Sequence, residues 1–476
     1  METSKKNFEI FNASLKKYAT NSVAKMFAQF DKFYFKNKSS EPLKRRFGSG
    51  INSYELPIEP WLFSEIVFYS TKYNDYRQEI TEEQAWNLYG LYFNYNLESE
   101  NEYAIKNYSD PNINNLPPIL YGYLQEQGLY EISENFFINR CNRNYHLLNN
   151  VKIDETSLND IVFDSFGIDL KTYVQYLSII VIASIGYVDL SCNEILQAVD
   201  NDIYFDILND ISIDYEDCRN TKNPIVNKDI FKIKPVLITQ NGEYIAPSTH
   251  LLFYYFSDKL YWLVKDAYNK TNTFVTKFGE IFENYAYQIL IKQYGEQNVL
   301  RMPLVENEKS VDFKIETDNY VILIEVKAGE ARINAKKTEL NKNDFDFFIK
   351  NNITDAMEQL DHSAKHITTQ KQIIPIILNY DQIYVEDGLL FKIDTLYPPH
   401  NYPIENLLLT GIDYFENFIF TYNTIEKLDT FFKENQDNLK THIIVEKSTV
   451  NKNYFYQDIF DEFTKQFLSV LKAKSN

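Results

Sequence analysis

Two acidic residues and a lysine in the C-terminal half have a spacing that could support catalysis. Asp312 is followed by Glu325 and, after one intervening residue, by Lys327. The pair Asp318-Asn319 lies midway between the two acidic residues and is typical of a two-residue hairpin turn. With that turn, Asp312 lies directly opposite Glu325 on one face of a β-hairpin. Lys327 is two residues further along and points to the same face.

This arrangement predicts a metal site. Directly opposed side chains in a hairpin start about 4.5–5.5 Å apart. Two carboxylates that close repel each other unless a proton or a cation lies between them. A hard divalent cation with oxygen ligands suits such a pair, and we expect Mg²⁺, with Mn²⁺ as a substitute. A neighbouring lysine can orient or deprotonate an attacking water, or offset charge on a pentavalent phosphate. The pattern therefore indicates phosphodiester hydrolysis.

The same register predicts a buried face on the hairpin. Residues that pair across it have numbers that sum to 637, so apolar side chains meet on the face opposite the acidic pair. The predicted apolar pairs are Val311 with Val326, Phe313 with Ile324, and Ile315 with Ile322.

Helices on both sides of the hairpin carry further candidate residues. The stretch from Phe278 to Tyr294 has an apolar stripe at helical spacing, and Glu283 flanks that stripe whereas Glu280 lies nearly opposite. A second helix is predicted across 354–368, with Gln359 beside its apolar stripe. Glu283 is the better candidate to reach the metal, and Gln359 is a candidate polar helper.

A basic loop follows the strand that carries Glu325. Its cations Arg332, Lys336 and Lys337 are positioned to contact nucleic-acid phosphates, although three charges in a loop are also typical of a solvated surface.

These residues together resemble the PD-(D/E)XK nuclease superfamily of restriction-endonuclease-like folds. The resemblance follows the order helix, strand, strand, helix, with Glu283, Asp312, Glu325-Val326-Lys327 and Gln359 on the successive elements. It implies that Asp312, Glu325 and Glu283 bind the metal, that Lys327 serves catalysis and that Gln359 assists. It covers roughly residues 272–385. Val311 stands where many members have the proline of the motif.

The remaining chain predicts a two-part α+β or α/β architecture. A length of 476 residues favours two or three domains. We expect a mostly helical recognition or regulatory region over 1–260, with a break near 150, and a mixed β-sheet nuclease core flanked by helices over 261–476. The stretch from residue 402 onward is expected to be two or three closing helices. Arg140 and Arg143 are expected at the surface, with a DNA-binding role as the alternative.

Composition limits the partners. Three scattered cysteines and an N-terminus without an apolar core favour a reducing cytoplasm and no membrane. The net charge of −19 argues against a surface that coats nucleic acid and limits basic contacts to a local groove. The resemblance implies a DNA-cutting effector of bacterial anti-phage defence or restriction. The alternatives are an RNA-directed nuclease and a non-catalytic recognition or assembly subunit. A partner subunit or a homo-oligomer stays open.

Overall fold

The computed structural model describes residues 2–37, 58–73, 76–108, 134–149, 152–153, 155–220, 230–268, 273–304, 308–329, 342–381, 401–402 and 406–435. Within these residues the protein is a mixed α+β structure in which helices predominate. Helices of the N-terminal half are α1 (Glu2–Leu15), α2 (Thr20–Asn37), α3 (Trp61–Ser70), α4 (Glu82–Tyr108), α5 (Glu134–Asn149), α6 (Leu158–Phe166), α7 (Leu170–Gly186), α8 (Asn193–Leu196), α9 (Asn201–Asp210), α10 (Tyr215–Asn220), α11 (Ile230–Ile233) and α12 (Thr249–Ala267).

Short strands join these helices. Strands β1 (Lys152–Ile153) and β2 (Thr156–Ser157) form an antiparallel pair. Strands β3 (Ser212–Asp214), β4 (Val236–Ile238) and β5 (Tyr244–Ile245) form a sheet in that order. The turn between β4 and β5 contains Gly242 at φ 78°, a left-handed conformation that costs glycine little.

The C-terminal half is built on a five-stranded sheet. Its strands are β6 (Val299–Arg301), β7 (Phe313–Glu316), β8 (Tyr320–Lys327), β9 (Gln372–Asn379) and β10 (Leu408–Gly411), in the order β10-β9-β8-β7-β6. The pairs β6–β7 and β7–β8 are antiparallel, whereas β8–β9 and β9–β10 are parallel. The helices are α13 (Thr273–Tyr294), α14 (Lys342–Ile349), α15 (Asp355–Lys365), α16 (Ile412–Thr421) and α17 (Ile425–Glu434).

Helices cover both faces of this sheet. On one face, Phe313, Ile322 and Ile324 join a cluster that contains apolar residues of α13 and α16. On the other face, Val321 and Leu323 pack with α14 and α15. The central strand β8 is therefore apolar on both faces, which explains the uninterrupted apolar run from Val321 to Ile324.

Two sequence-based expectations about this sheet are wrong. Strand β7 begins only at Phe313, and Val311 packs with Val321 and Leu323 on the face opposite the one predicted. The backbone bends at Asp312, so the two-residue alternation does not extend back to Val311. The segment after residue 402 also contains β10 in addition to helices, because Leu408–Gly411 adds a fully buried edge strand beside β9.

The helical half and the sheet share one hydrophobic cluster. Its members include Phe137 of α5, Tyr173 of α7, Phe256 of α12 and Ile376 of β9. The core is thus continuous across residue 260, where we predict a domain boundary. Most side chains of α7 lie in this cluster.

Arg140 and Arg143 are buried in this shared core, so the expected surface position is wrong. Arg140 makes a two-pronged ion pair with Asp258, at 2.6 and 2.8 Å. Arg143 binds Asp413 at 2.5 Å and Glu416 at 2.9 Å, both on α16. The arginines are internal because carboxylates from α12 and α16 compensate their charge.

Within the described ranges, no single helix has the length and apolar composition needed to cross a membrane. Helices α6 and α7, which meet at a bend of 69°, satisfy the length and composition criteria only when taken together.

Candidate active site

The β7–β8 hairpin has the predicted register. Phe313 pairs with Ile324, Ile315 with Ile322 and Glu316 with Val321. The turn is held from outside by Asp429 of α17, which accepts hydrogen bonds from the Thr317 hydroxyl and from the Asn319 main-chain and side-chain amides. These hydrogen bonds hold the turn in place. They thereby hold the register of the two strands, which aligns the candidate residues at the opposite end of the hairpin.

Asp312 lies at the open end of the hairpin. Its Oδ2 accepts a hydrogen bond of 2.7 Å from the main-chain N–H of Val326, on the neighbouring strand. The pKa of Asp312 is raised to about 6, chiefly by burial. The negative charge of Glu283 also raises this pKa, whereas the hydrogen bond from Val326 lowers it. The side chain is therefore held against β8 in a carboxylate-rich environment.

Glu325 and Lys327 lie on the face of β8 that is covered by α15. Glu325 is 2% exposed, and its Oε1 accepts a hydrogen bond of 2.8 Å from Lys327 Nζ. Its Oε2 has no hydrogen-bond partner among the described residues. Burial raises the pKa of Glu325 to about 8, and the charge of Asp312 adds to this increase while Lys327 opposes it. The predicted trio is thus brought together.

This donor set suits a magnesium ion better than a metal that needs a full protein cage. No group of three or more His, Cys, Asp or Glu side chains suited to a metal occurs in the described part of the chain. Mg²⁺ commonly uses one or two carboxylates, and its other ligands are water and substrate phosphate. Asp312 and the unpartnered Oε2 of Glu325 fit that requirement, and a cation between them would relieve their repulsion.

Glu283 lies beside this pair but is engaged by an arginine. Its Oε1 accepts a hydrogen bond of 2.6 Å from Arg301 Nη1, and both side chains are partly exposed. The guanidinium of Arg301 also lies 4.2 Å from the ring centre of Tyr287 on α13. Glu283 is close enough to raise the pKa of Asp312. Its role as a metal ligand stays a prediction.

The other predicted site residues are less informative. Gln359 donates a hydrogen bond of 3.2 Å to the main-chain carbonyl of Asp355 in its own helix. This contact lies within the helix and does not test the predicted assisting role of Gln359, which stays a prediction. Arg332, Lys336 and Lys337 lie outside the residues that the structure describes.

Two residues near the site were not among the predicted ones. The positive charge of exposed Lys309 lowers the pKa of both Asp312 and Glu325. Asn379 ends strand β9 and pairs in register with Lys327. A lysine three residues before Asp312, and a polar residue after the apolar run Ile373–Leu378, are the sequence signals that could have identified them.

The chain after Lys327 passes closely under a distorted helical turn. A π-helical segment, Lys350–Thr354, joins α14 to α15. Asn352 of this segment is so near Gly329 that a methyl group there would lie 2.1 Å from Asn352 Oδ1. π-Helical turns within helices are frequent at functional sites. Gly329 thus allows the strand exit to pass beneath this turn.

Comparison of the chain with protein-family models, with curated proteins and with solved structures finds no match.

Proposed function

We propose that this protein is a Mg²⁺-dependent nuclease that hydrolyses phosphodiester bonds, with DNA favoured over RNA as the substrate. The observation that carries the proposal is the group formed by Asp312, Glu325 and Lys327 at the open end of the β7–β8 hairpin. A buried carboxylate, a half-buried carboxylate and a lysine, with one oxygen of the buried carboxylate free of protein partners in the described structure, form an arrangement suited to metal-assisted hydrolysis.

The arrangement of the C-terminal half supports a restriction-endonuclease-like core. The order expected from the resemblance is matched by α13 with Glu283, β7 next to Asp312, β8 with Glu325 and Lys327, and α15 with Gln359. The sheet combines an antiparallel hairpin with parallel strands and is covered by helices on both faces. Assignment to that fold is part of the proposal.

The residues of the site have different roles in the proposed reaction. Asp312 and Glu325 would hold Mg²⁺, which when bound polarises a phosphoryl oxygen and acidifies a bound water. Lys327 is oriented by its hydrogen bond to Glu325, and its ammonium can stabilise negative charge on the phosphate in the transition state. Exposed Lys309 is positioned to contact the nucleic-acid backbone.

The context proposed for this activity is anti-phage defence or restriction. The net charge of −19 supports a small nucleic-acid footprint, because only local cations can contact phosphates. We expect weak, salt-sensitive binding by the isolated chain, with tight binding dependent on a partner, an oligomer or an activating signal.

The test is cleavage of supercoiled DNA, linear duplex, single-stranded DNA and RNA in Mg²⁺ or Mn²⁺. Wild type is compared with Asp312→Asn and with the matched control Asp318→Asn, an exposed residue in the turn of the same hairpin. We expect the Asp312 variant to lose more than about a hundredfold in rate, since loss of even an outer-shell partner of a metal costs up to that much. The control should cut normally.

The outcomes separate the alternatives. Preferential cleavage of RNA would show that RNA, and not DNA, is the substrate. Cleavage that is unaffected by Asp312→Asn would refute the catalytic assignment. No cleavage of any substrate in either metal would favour a non-catalytic recognition or assembly subunit.

A further inference from the structure

Asn379 is a buried polar residue that has no role in the reaction proposed above. It ends β9, it is 0% exposed, and it lies between Lys327 of β8 and Gly411 of β10 in the sheet. Paired residues of parallel strands point to the same face, so Asn379 shares the face of Glu325 and Lys327. Its side chain therefore starts about 4.8 Å from that of Lys327.

The amide of Asn379 is unpartnered in the described structure. Neither its Oδ1 nor its Nδ2 has a hydrogen-bond partner there. Leaving such a group buried costs about 1–3 kcal/mol. The preceding residues of β9, Ile376, Ile377 and Leu378, are apolar and buried, so a leucine would fit the general character of this strand. An uncompensated amide here points to a ligand.

The neighbouring groups define what that ligand is. Glu325 Oε2 on the adjacent strand is also without a partner among the described residues, and it can accept a hydrogen bond. Lys327 Nζ uses one N–H on Glu325 Oε1, and an ammonium has three. The set thus contains free donors and free acceptors together. A metal ion cannot use an amide N–H, and a phosphate oxygen cannot donate, whereas water does both.

We propose that Asn379 holds an ordered water molecule beside Lys327 and Glu325, and that it thereby acts as a positioning residue for the Lys327 ammonium. This inference rests on the proposed function for its catalytic consequence. The water accepts a hydrogen bond from Lys327 Nζ and donates one to Asn379 Oδ1, and its second hydrogen can point to the lone pair of Glu325 Oε2 that a metal ion does not use. Lys327 is then fixed from two sides, by Glu325 and by the bound water.

The kinetic test compares Asn379→Leu with Asn406→Leu. Asn406 is a second buried asparagine with an unpartnered Nδ2 among the described residues, and it precedes β10 at the opposite end of the strand. Asn379→Leu should keep or raise the melting temperature and leave KM within about twofold. Its kcat should fall by roughly tenfold to a hundredfold, since a misplaced catalytic group costs that much. Asn406→Leu should keep its kcat.

An Asn379→Leu variant with wild-type kcat would overturn the inference. A crystal structure of the wild type at a resolution that shows water decides it without any activity. We expect a water oxygen about 2.7–3.2 Å from the Asn379 amide and from Lys327 Nζ. Absence of an ordered water at the Asn379 amide in that structure would overturn the inference, even if Asn379→Leu fails to fold. If wild type cuts no substrate but the water is present, only the proposed function fails.

Discussion

Glu325 is 2% exposed, and one of its carboxylate oxygens meets no partner in the described structure. A buried charge in that situation is stabilised by taking up a proton or by binding a cation. The neighbouring Asp312 makes the charged form of Glu325 still less favourable, because its negative charge raises the pKa of Glu325 further. The candidate site therefore holds a buried carboxylate charge that its protein neighbours do not fully compensate, and a divalent cation would neutralise it.

The metal-free protein should lose stability as pH rises through the pKa values of these carboxyls. Asp312 and Glu325 have folded-state pKa values of about 6 and about 8, above the ordinary range near 4. Their stabilising contribution is complete below the ordinary pKa and is lost as pH rises through the folded values. Melting temperatures without divalent cations should therefore fall between about pH 4 and about pH 8.

Glu325→Gln should remove most of that fall. Glu316→Gln is the matched control, because hydrogen bonding to Lys314 lowers the pKa of Glu316 and this carboxyl does not titrate in the same window. Added Mg²⁺ should restore the melting temperature most at pH 9, where the ligands are deprotonated. A Glu325→Gln variant with the full wild-type pH dependence would show that Glu325 is not the titrating group.

The close passage of the chain after β8 beneath the π-helical turn sets the geometry beyond Lys327. Gly329→Ala should lower the free energy of unfolding by about 1–3 kcal/mol, because the new methyl collides with Asn352. The cost should largely disappear in an Asn352→Ala background. Denaturant unfolding of the two single variants and the double variant measures this coupling.

Gly279 provides the control for the glycine substitution. It lies within α13, and nothing lies within 4 Å of where its methyl would be. Gly279→Ala should therefore stabilise the protein by about 0.5–1 kcal/mol. Strict additivity of Gly329→Ala and Asn352→Ala would rule out the proposed contact.

The hairpin shows how far local sequence reasoning reaches. The register of β7 and β8 was predictable because Asp318-Asn319 marks the turn and the apolar residues alternate on each strand. The position of Val311 was not, because the chain bends at Asp312, whose carboxylate accepts a hydrogen bond from the Val326 N–H on the neighbouring strand. Asn379 joins the site through a parallel pairing across distant sequence, which no local pattern shows.

The helical half and the sheet-containing half of the chain are joined by buried ion pairs. Arg143 of α5 contacts Glu416 of α16, and the Tyr285 hydroxyl of α13 donates to the same carboxylate at 2.6 Å. The helical half is thus connected to the helix that carries Glu283. Sequence reasoning placed Arg143 at the surface because its compensating carboxylates are more than two hundred residues away in the chain.

Arg143→Met should lower the free energy of unfolding by about 3–5 kcal/mol, because it leaves Glu416 buried without its cation and Asp413 with only Arg140, at 3.8 Å. Lys25→Met is the control, since the pair between Lys25 and Glu243 is partly exposed. Its loss should cost less than about 1 kcal/mol. Equal costs in chemical denaturation would contradict the structural role given to the buried network.

We propose that Lys327 acts in phosphodiester hydrolysis beside two metal-binding carboxylates. Single-turnover cleavage of the best DNA substrate in Mg²⁺ tests it, with Lys327→Met compared with Lys314→Met, a lysine on β7 of the same hairpin that pairs with Glu316. We expect Lys327→Met to slow cleavage by about 10²–10³-fold and Lys314→Met to cut like wild type. Equal rates for wild type and Lys327→Met would contradict it.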